Sequence, residues 1–268
     1  MLFMEGAVLR TSLETRSSKV AVIAITAASY AVGKALTGYI PTPWGVGQLL
    51  IGVFLPGYFA VVSDTLSVAI GAGIGTFVGD VVFLVPLQET TPILSLLAGV
   101  PANFVAFLLF GWFVKKYKSW PAFIAATVCF VTLGDLIAAI SVVTFLSLPP
   151  ALILGLTVFW NTGAIPAMII AVPILLRATR PLLGRSSTFN YPTQWSGGVG
   201  RRSTAVALGF SALFVALGAA IFFGAPETMA NWPGLASYFA VAAIVVVVFG
   251  PIASVVAGSR LGARKAAG

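Results

Sequence analysis

Residues 20–40 read VAVIAITAASYAVGKALTGYI, a stretch with a single charged side chain, Lys34. A helix that crosses a membrane needs about 20 mostly apolar residues, and this stretch supplies them. Comparable stretches recur along the chain, which is 59% hydrophobic and 8% charged, whereas soluble domains are about 25% charged. The composition therefore predicts an all-α, polytopic membrane bundle. It argues against a soluble globule, a disordered chain and a nucleic-acid-binding protein, despite the net charge of +8.

The apolar stretches define the expected organisation of the chain. We expect eight membrane-spanning helices, at residues 20–40, 46–62, 66–86, 92–114, 121–147, 151–176, 204–224 and 236–257. They predict a polar N-terminal lead (1–19), a six-helix core (20–176) and an Arg-, Gly- and Pro-rich linker (177–203). A two-helix tail (204–257) and a basic C-terminal segment (258–268) follow. No signal peptide is expected, and the lead could form an interfacial helix.

Basic residues lie on alternate connections between these spans. Fourteen of the fifteen Lys and Arg residues precede the first span or follow the fourth, sixth and eighth spans. The positive-inside rule therefore predicts a plasma-membrane protein with both termini in the cytoplasm. The same asymmetry explains the basic charge without nucleic acid and allows contact with anionic membrane lipids.

Lys34 is the remaining cation and lies within the first span. A lysine at the centre of a membrane helix costs about 2.5–3.5 kcal/mol on insertion scales, so such a residue usually faces a protein interior or a wet cavity. Tyr30 lies on the same flank of the helix, one turn away. Two interpretations stay open: an internal ion pair with Asp80 or Asp135 (or snorkelling to the interface), and contact with a substrate carboxylate.

The connection Ile40–Gln48 has the sequence IPTPWGVGQ and lies directly after Lys34 on the predicted outer side. Its prolines restrict the backbone, and its glycines allow close approach. Trp44 offers stacking and Gln48 offers amide hydrogen bonds, so the connection could be a lid over an outward-facing pocket. The alternative is a tight turn between helices with an interfacial tryptophan.

Further polar groups occur within the spans at Asp80, Asp135 and Asn161, and each could bind a ligand or link neighbouring helices. Asn103 and Trp160 are weaker candidates of the same kind. Glycines at four-residue spacing precede Asp80 and favour close helix packing. The chain contains no histidine and one cysteine, so no metal site, cofactor or catalytic nucleophile is expected.

The first span also carries a stripe of small residues. Such a stripe is typical of close helix packing within a membrane protein, and it could also dock a separate subunit. The stripe contains Ala24, Ala27, Ala28, Ala31 and Ala35.

Over residues 15–180 the chain resembles the substrate-capture (S) components of energy-coupling-factor (ECF) vitamin transporters. The resemblance rests on the alanine-spaced first helix, the Pro- and Gly-containing connection at Ile40–Gln48, the glycine-rich third helix ending in Gly79-Asp80, and the sixth helix with Asn161 before Arg177. It implies a six-helix bundle that binds a vitamin or precursor near the outer face. Its implied partners are a transmembrane coupling protein and two ATP-hydrolysing subunits.

The resemblance also implies roles by position. The alanine stripe of the first helix would dock on the coupling protein, and the connection at Pro43–Gln48 would close over the substrate. Lys34, Asp80, Asp135 and Asn161 would be pocket candidates, and Lys34 slightly favours an acidic substrate. The two C-terminal spans depart from the usual six-helix core, and metal transport is not expected because the N-terminal histidine of the metal-capturing members is missing.

Other functions compete with this interpretation. The chain has no Gly-x-x-x-x-Gly-Lys-Ser/Thr motif, so ATP-driven transport would need partner subunits, and the chain itself is not expected to be an enzyme. A stand-alone secondary transporter could couple a small organic solute to protons through Asp80 or Asp135. An intramembrane enzyme is disfavoured because no activated nucleophile can be identified, and a structural subunit with internally paired charges stays open.

Overall fold

The computed structural model describes residues 2–38, 42, 44–86, 90–183 and 188–192, and these residues are predominantly helical. We number six helices in chain order. Three are uninterrupted α-helices, and the other three each contain a π-helical turn. They are α1 (Leu2–Thr37), α2 (Phe54–Val62), α3 (Thr65–Gly79, then the π turn Asp80–Leu84), α4 (Pro92–Leu94, the π turn Ser95–Gly99, then Val100–Tyr117), α5 (Trp120–Ala126, the π turn Thr127–Val131, then Thr132–Phe145) and α6 (Ala151–Leu183).

Five helical segments in this part of the chain are long and apolar enough to cross a membrane. They are Arg16–Thr37, Thr65–Leu84, Pro92–Tyr117, Ala122–Phe145 and Leu152–Leu183. The prediction of an all-α membrane protein with several crossings is therefore confirmed at this level. Several predicted segments lie outside the described residues. They are the spans at 204–224 and 236–257, the basic C-terminal segment at 258–268 and most of the linker.

The span predicted at residues 46–62 is wrong in extent. Residues 44–53 are not helical, and α2 has nine residues, which corresponds to about 14 Å at 1.5 Å per residue and is too short for a bilayer of about 30 Å. Gly45 and Gly47 adopt positive φ angles of 69° and 79°. The amide of Thr42 donates to the carbonyl of Gly47 at 2.9 Å, and the Thr42 hydroxyl donates to the carbonyl of Val46 at 2.8 Å. These contacts fold the segment into a compact loop.

Two other predicted boundaries also differ. α1 begins at Leu2, so the N-terminal lead is helical and continuous with the first span. α6 continues to Leu183, past the predicted start of the linker at residue 177, although it contains Pro166, Pro173 and Pro181. Hydropathy misses both extensions because charged residues at a helix end lower the local average without interrupting the backbone hydrogen bonds.

The closest helix pair is α1 with α3, and glycine makes it possible. We call Gly71, Gly75 and Gly79 the glycine ladder. A Cβ atom at Gly75 would lie 2.6 Å from the carbonyl oxygen of Ala27, and one at Gly79 would lie 3.2 Å from the Cα of Ala31. The two backbones therefore meet at a distance that only glycine permits, as is common between membrane helices.

The bundle has two distinct ends, because α1 and α3 run side by side. The start of α3 lies near Lys19 and Lys115, and we call this the basic end. The last turn of α3 lies beside Lys34, about 22 Å further along α1, and we call this the cavity end. One aromatic-rich apolar cluster packs between α2, α4, α5 and α6 and reaches the basic end, and a second, containing Trp44 and Trp160, lies under the loop at residues 44–53.

Candidate functional site

A cavity of about 80 Å³ opens at the cavity end, enough for roughly five to eight water molecules. Every long helix contributes to its wall, and the loop at residues 44–53 covers it. The polar and charged lining residues are Lys34, Gln48, Asp80, Thr90, Ser95, Asn103 and Asp135, and the aromatic ones are Phe107 and Trp160. The wall therefore combines a few polar groups with mainly apolar surface, which is the usual character of a small-molecule site.

Each of the three π turns contributes to this wall. Asp80 begins the first turn, Ser95 and Gly99 belong to the second, and Val131 ends the third. A π turn adds one residue to a helical turn and changes the direction of the side chains that follow, and such turns are frequent at functional sites. The regular helix ladder is thus interrupted in three helices where they meet the cavity.

Lys34 on α1 forms an ion pair with Asp80 on α3, and both side chains are almost fully buried. The hydroxyl of Ser95 donates a hydrogen bond of 2.5 Å to the second carboxylate oxygen of Asp80. A buried ion pair survives in an apolar interior only when its charges are matched and hydrogen-bonded, and here both conditions hold. The positive charge of Lys34 is therefore balanced within the protein.

Asp135 on α5 is the second carboxylate in the wall, and its environment is different. It is 6% exposed, and its Oδ2 oxygen has no hydrogen-bond partner among the described residues. The ion pair between Lys34 and Asp80 is the one salt bridge in this part of the chain, so no protein cation is paired with Asp135. A buried polar group without a partner is costly and is the kind of group that a ligand can satisfy.

Neutral polar groups complete the wall. The Tyr30 hydroxyl donates to the Asn103 side-chain oxygen at 2.8 Å, and the Asn103 amide donates to the carbonyl of Gly99 at 2.9 Å. Tyr30 does not line the cavity itself but fixes the orientation of Asn103, which does. Trp160 lies beneath Gly47, and its buried indole N–H has no hydrogen-bond partner among the described residues.

The structure brings together four of the seven predicted substrate-binding residues, namely Lys34, Gln48, Asp80 and Asp135. The other three, Tyr30, Trp44 and Asn161, are absent from the cavity wall. Both polar atoms of the Asn161 amide already have partners, since Thr132 on α5 donates to its oxygen at 2.9 Å and its nitrogen donates to the carbonyl of Thr157 on α6 at 2.7 Å.

Trp44 lies behind the cavity wall. Its ring makes an edge contact with Phe159 at 6.3 Å between centroids and packs closely over Gly155. It therefore anchors the loop to α6, as expected of a tight connection, while its neighbour Gln48 reaches the cavity.

The sequence does not point to Ser95, and it gives Asn103 and Trp160 only as weaker candidates. Asn103 and Trp160 are visible in the sequence as an amide and an indole within apolar spans, but neither differs there from a group that links helices. No pattern marks Ser95, because a serine in an apolar helix usually bonds to its own backbone. Its role depends on the approach of α4 to Asp80, which is a tertiary feature.

The alanine stripe of α1 is divided by the fold. Ala27 and Ala31 are buried against the glycine ladder of α3, so they are not available to a partner in this conformation. Ala24 and Ala28 are exposed, and Ala35 is half-buried. The exposed alanines belong to an apolar face of α1 with larger neighbours, namely Val20, Ile25, Val32 and Leu36.

At the basic end, the charged groups have internal partners. The Lys115 ammonium donates to the carbonyl of Ser63 and to the hydroxyl of Thr65, the latter at 3.0 Å. Asp64 caps α3 by accepting hydrogen bonds from the amide and the hydroxyl of Ser67, at 2.9 and 2.7 Å. Burial alone would raise the pKa of Asp64, but these bonds and the nearby positive charges of Lys19 and Lys115 outweigh it and lower the pKa.

In the described ranges, no three potential metal-ligating side chains lie together, so the carboxylates of the cavity do not form a metal cluster. Comparison of the chain with known protein families, characterised proteins and solved structures finds no match.

Proposed function

We propose that this chain is the membrane-embedded, substrate-binding subunit of an ATP-driven importer of a vitamin or a related micronutrient. The observation that carries the proposal is a loop-covered cavity at one end of a membrane bundle, lined by charged and neutral polar groups. Polar side chains are rare in membrane helices and usually mark a ligand or ion pathway. Five such groups on the helices, with Gln48 and Thr90 from the connecting segments, favour a binding site over a purely structural subunit.

In this proposal the cavity end faces the cell exterior. The basic connections would lie in the cytoplasm by the positive-inside rule, and the cavity end is the opposite end of the same helices. The loop at residues 44–53 would then cover a pocket reached from outside. The chain lacks an ATP-binding motif of its own, so uptake would require a transmembrane coupling protein and two ATPase subunits.

Partner docking would use the exposed part of α1. Ala24 and Ala28 lie in the apolar face of α1 that the described helices do not cover, and small residues permit the close approach of another membrane helix. Ala27 and Ala31 serve the internal contact with α3 instead. The proposed docking surface is therefore narrower than the alanine stripe that the sequence predicts.

The binding role is tested by purifying the full chain in lipid nanodiscs and identifying co-purifying small molecules by native mass spectrometry. We expect one dominant ligand, and we expect Lys34→Ala and Asp80→Asn to reduce its occupancy. Asp64→Asn is the matched control, because it removes a carboxylate at the basic end. If the wild-type chain, purified from cells grown in complex medium, carries no bound small molecule, the proposal is contradicted.

The docking role is tested separately by co-purification of ATPase subunits from the native cells. Ala24→Trp and Ala28→Trp should prevent assembly and leave ligand occupancy unchanged. Ile140→Trp is the matched control, since Ile140 is an exposed apolar residue on α5. Intact assembly in both alanine variants would show that α1 is not the docking helix.

A second candidate is a proton-coupled secondary transporter. The observation that favours it is the unpaired carboxylate of Asp135, because membrane carboxylates without a fixed partner commonly carry protons. Asp80 is less suited to that role because Lys34 and Ser95 hold it. Uptake of the co-purified ligand into liposomes that contain this chain alone, lost when the proton gradient is collapsed, would favour this second candidate.

A further inference from the structure

We propose that the cavity binds a small ring-containing molecule through a cationic amine, which pairs with Asp135. The inference rests on the proposed function, because it treats the cavity as a ligand site. It reverses the expectation from the sequence, in which Lys34 favours an acidic substrate.

The charge balance of the cavity is the first argument. Its wall contains three ionisable groups of the acidic or basic type, namely Lys34, Asp80 and Asp135. The first two neutralise each other in a buried ion pair, and Ser95 completes the coordination of Asp80. The remaining ionisable group is Asp135, which has no counter-charge among the described residues, so a cationic ligand would gain a buried ion pair that an anionic ligand could not form.

The second argument is the state of Asp135 itself. Its side chain is more than nine-tenths buried and lines the cavity, and its Oδ2 oxygen has no partner among the described residues. The neighbouring lining residues of α5 are Val131, Gly134, Ala138 and Val142, none of which can donate a side-chain hydrogen bond. An ammonium group in the cavity would supply both the opposite charge and the missing donor.

The rest of the ligand can be inferred from the aromatic part of the wall. Trp160 offers an indole N–H without a partner, and it shares the cavity with the aromatic ring of Phe107. A flat ring fits beside these aromatic groups, and an acceptor atom on that ring would satisfy the indole donor. A ligand with both a cationic amine and a ring acceptor would match both unpaired groups.

Three probes of one shape test this inference: 3-(aminomethyl)pyridine, 3-pyridinemethanol and nicotinate. They share a pyridine ring and carry a cation, a neutral hydroxyl and an anion, and each has eight or nine heavy atoms, which suits the cavity. Binding to the full chain in nanodiscs is measured by isothermal titration calorimetry. We expect the amine to bind at least tenfold more tightly than nicotinate, with the alcohol between them.

The variants assign that preference to one side chain. Asp135→Asn should weaken amine binding at least tenfold and leave alcohol binding within twofold, and Asp135→Ser gives a second, independent test of the same loss. Asp64→Asn should change none of the three affinities. Trp160→Phe keeps the aromatic surface but removes the N–H, and it should weaken all three probes by a similar, smaller factor.

Tighter binding of nicotinate, an amine preference that survives in either folded Asp135 variant, or failure of all three probes to bind at millimolar concentration would overturn the inference. The proposed function has a separate readout, which is the co-purified ligand. A ligand that lacks a cationic group, but whose occupancy falls in Lys34→Ala, would overturn this inference and leave the proposed function standing. Absence of any co-purified ligand would count against the proposed function.

Discussion

The two ends of the bundle differ in how their charged side chains are partnered. At the basic end, Asp64 and Lys115 are held by backbone and hydroxyl groups of neighbouring residues. At the cavity end, Lys34 and Asp80 are matched, but Asp135 lies in an apolar wall without a partner. Buried polar groups in native proteins nearly always have partners, so an exception beside a cavity indicates a group kept for a ligand. Charged groups with internal partners therefore maintain the fold, whereas the carboxyl group without a partner marks the site.

The two ends of the bundle also differ in helix geometry. The π turns Asp80–Leu84, Ser95–Gly99 and Thr127–Val131 all contribute residues to the cavity. α3 begins, by contrast, as a regular helix with a capped first turn at the basic end. Irregular backbone in a membrane is tolerated only where protein or a cavity surrounds it. The cavity end therefore departs from ideal helix geometry where the proposed ligand would bind.

The largest expected effect comes from breaking the matched pair. Lys34→Met leaves Asp80 buried without its cation, and removal of one partner of a buried ion pair costs about 3–5 kcal/mol. The double variant Lys34→Met/Asp80→Asn removes both charges and keeps an acceptor for Ser95, so most of that loss should be recovered. Thermal unfolding in detergent measures both. A double variant no more stable than Lys34→Met would show that the ion pair does not account for the loss.

The glycine ladder gives the next largest effect and holds the two helices that carry the pair. Gly75→Ala places a Cβ 2.6 Å from the Ala27 carbonyl oxygen, and overpacking of this kind typically costs about 1–3 kcal/mol. Gly73→Ala is the matched control, because its nearest neighbour would be a Val100 methyl at an ordinary 3.5 Å. We expect a lower melting temperature for Gly75→Ala and an unchanged or higher one for Gly73→Ala. Equal melting temperatures would mean that the contact between Gly75 on α3 and Ala27 on α1 is not as close as 2.6 Å implies.

The sequence predicts the parts of this comparison that depend on composition. Long apolar runs are enough to predict membrane helices, and the cost of a buried charge is enough to single out Lys34, Asp80 and Asp135. The pairing of Lys34 with Asp80 instead of Asp135 could not be predicted, because hydropathy does not show which of the two carboxylate-bearing helices packs against α1. That choice depends on the glycine ladder, which brings α3 against α1, and on Ser95.

The short second helix could not be predicted either. Residues 46–62 are apolar enough for a span, and hydropathy does not register a left-handed glycine backbone. Asn161 illustrates the reverse error, because its amide satisfies Thr132 and the α6 backbone instead of a ligand. A polar residue within a membrane helix indicates that a partner is needed, but only the fold determines which partner is available.

The loop over the cavity allows a test in which two neighbouring glycines are compared. Both have positive φ, which costs an L-residue about 1–2 kcal/mol. A Cβ at Gly45 would meet open space, whereas one at Gly47 would lie 3.1 Å from the Trp160 ring. Gly45→Ala should therefore lower stability alone, and Gly47→Ala should also weaken binding of the co-purified ligand severalfold. Similar ligand affinities in the two variants would show that the contact between Gly47 and Trp160 does not affect ligand binding.

The smallest expected effect lies at the basic end and concerns pH. The pKa of Asp64 is lowered in the folded chain, so the folded state favours the ionised carboxylate. Its stabilising contribution is therefore fully present above the ordinary value of 3.8 and is lost as the pH falls through the lower folded pKa. Loss of a helix cap typically costs about 1 kcal/mol, and Asp64→Ala should lower the melting temperature by a correspondingly small amount at neutral pH.

The measurement is the difference in melting temperature between the wild-type chain and Asp64→Ala as a function of pH, which cancels the titration of the cavity carboxylates. We expect a constant difference from pH 5 to pH 8 and a smaller one below about pH 4. A difference that varies between pH 5 and pH 8 would mean that Asp64 interacts with a group other than Ser67, Lys19 and Lys115. Its capping bonds make Asp64 part of the fold, so ligand binding should be the same in both proteins across that range.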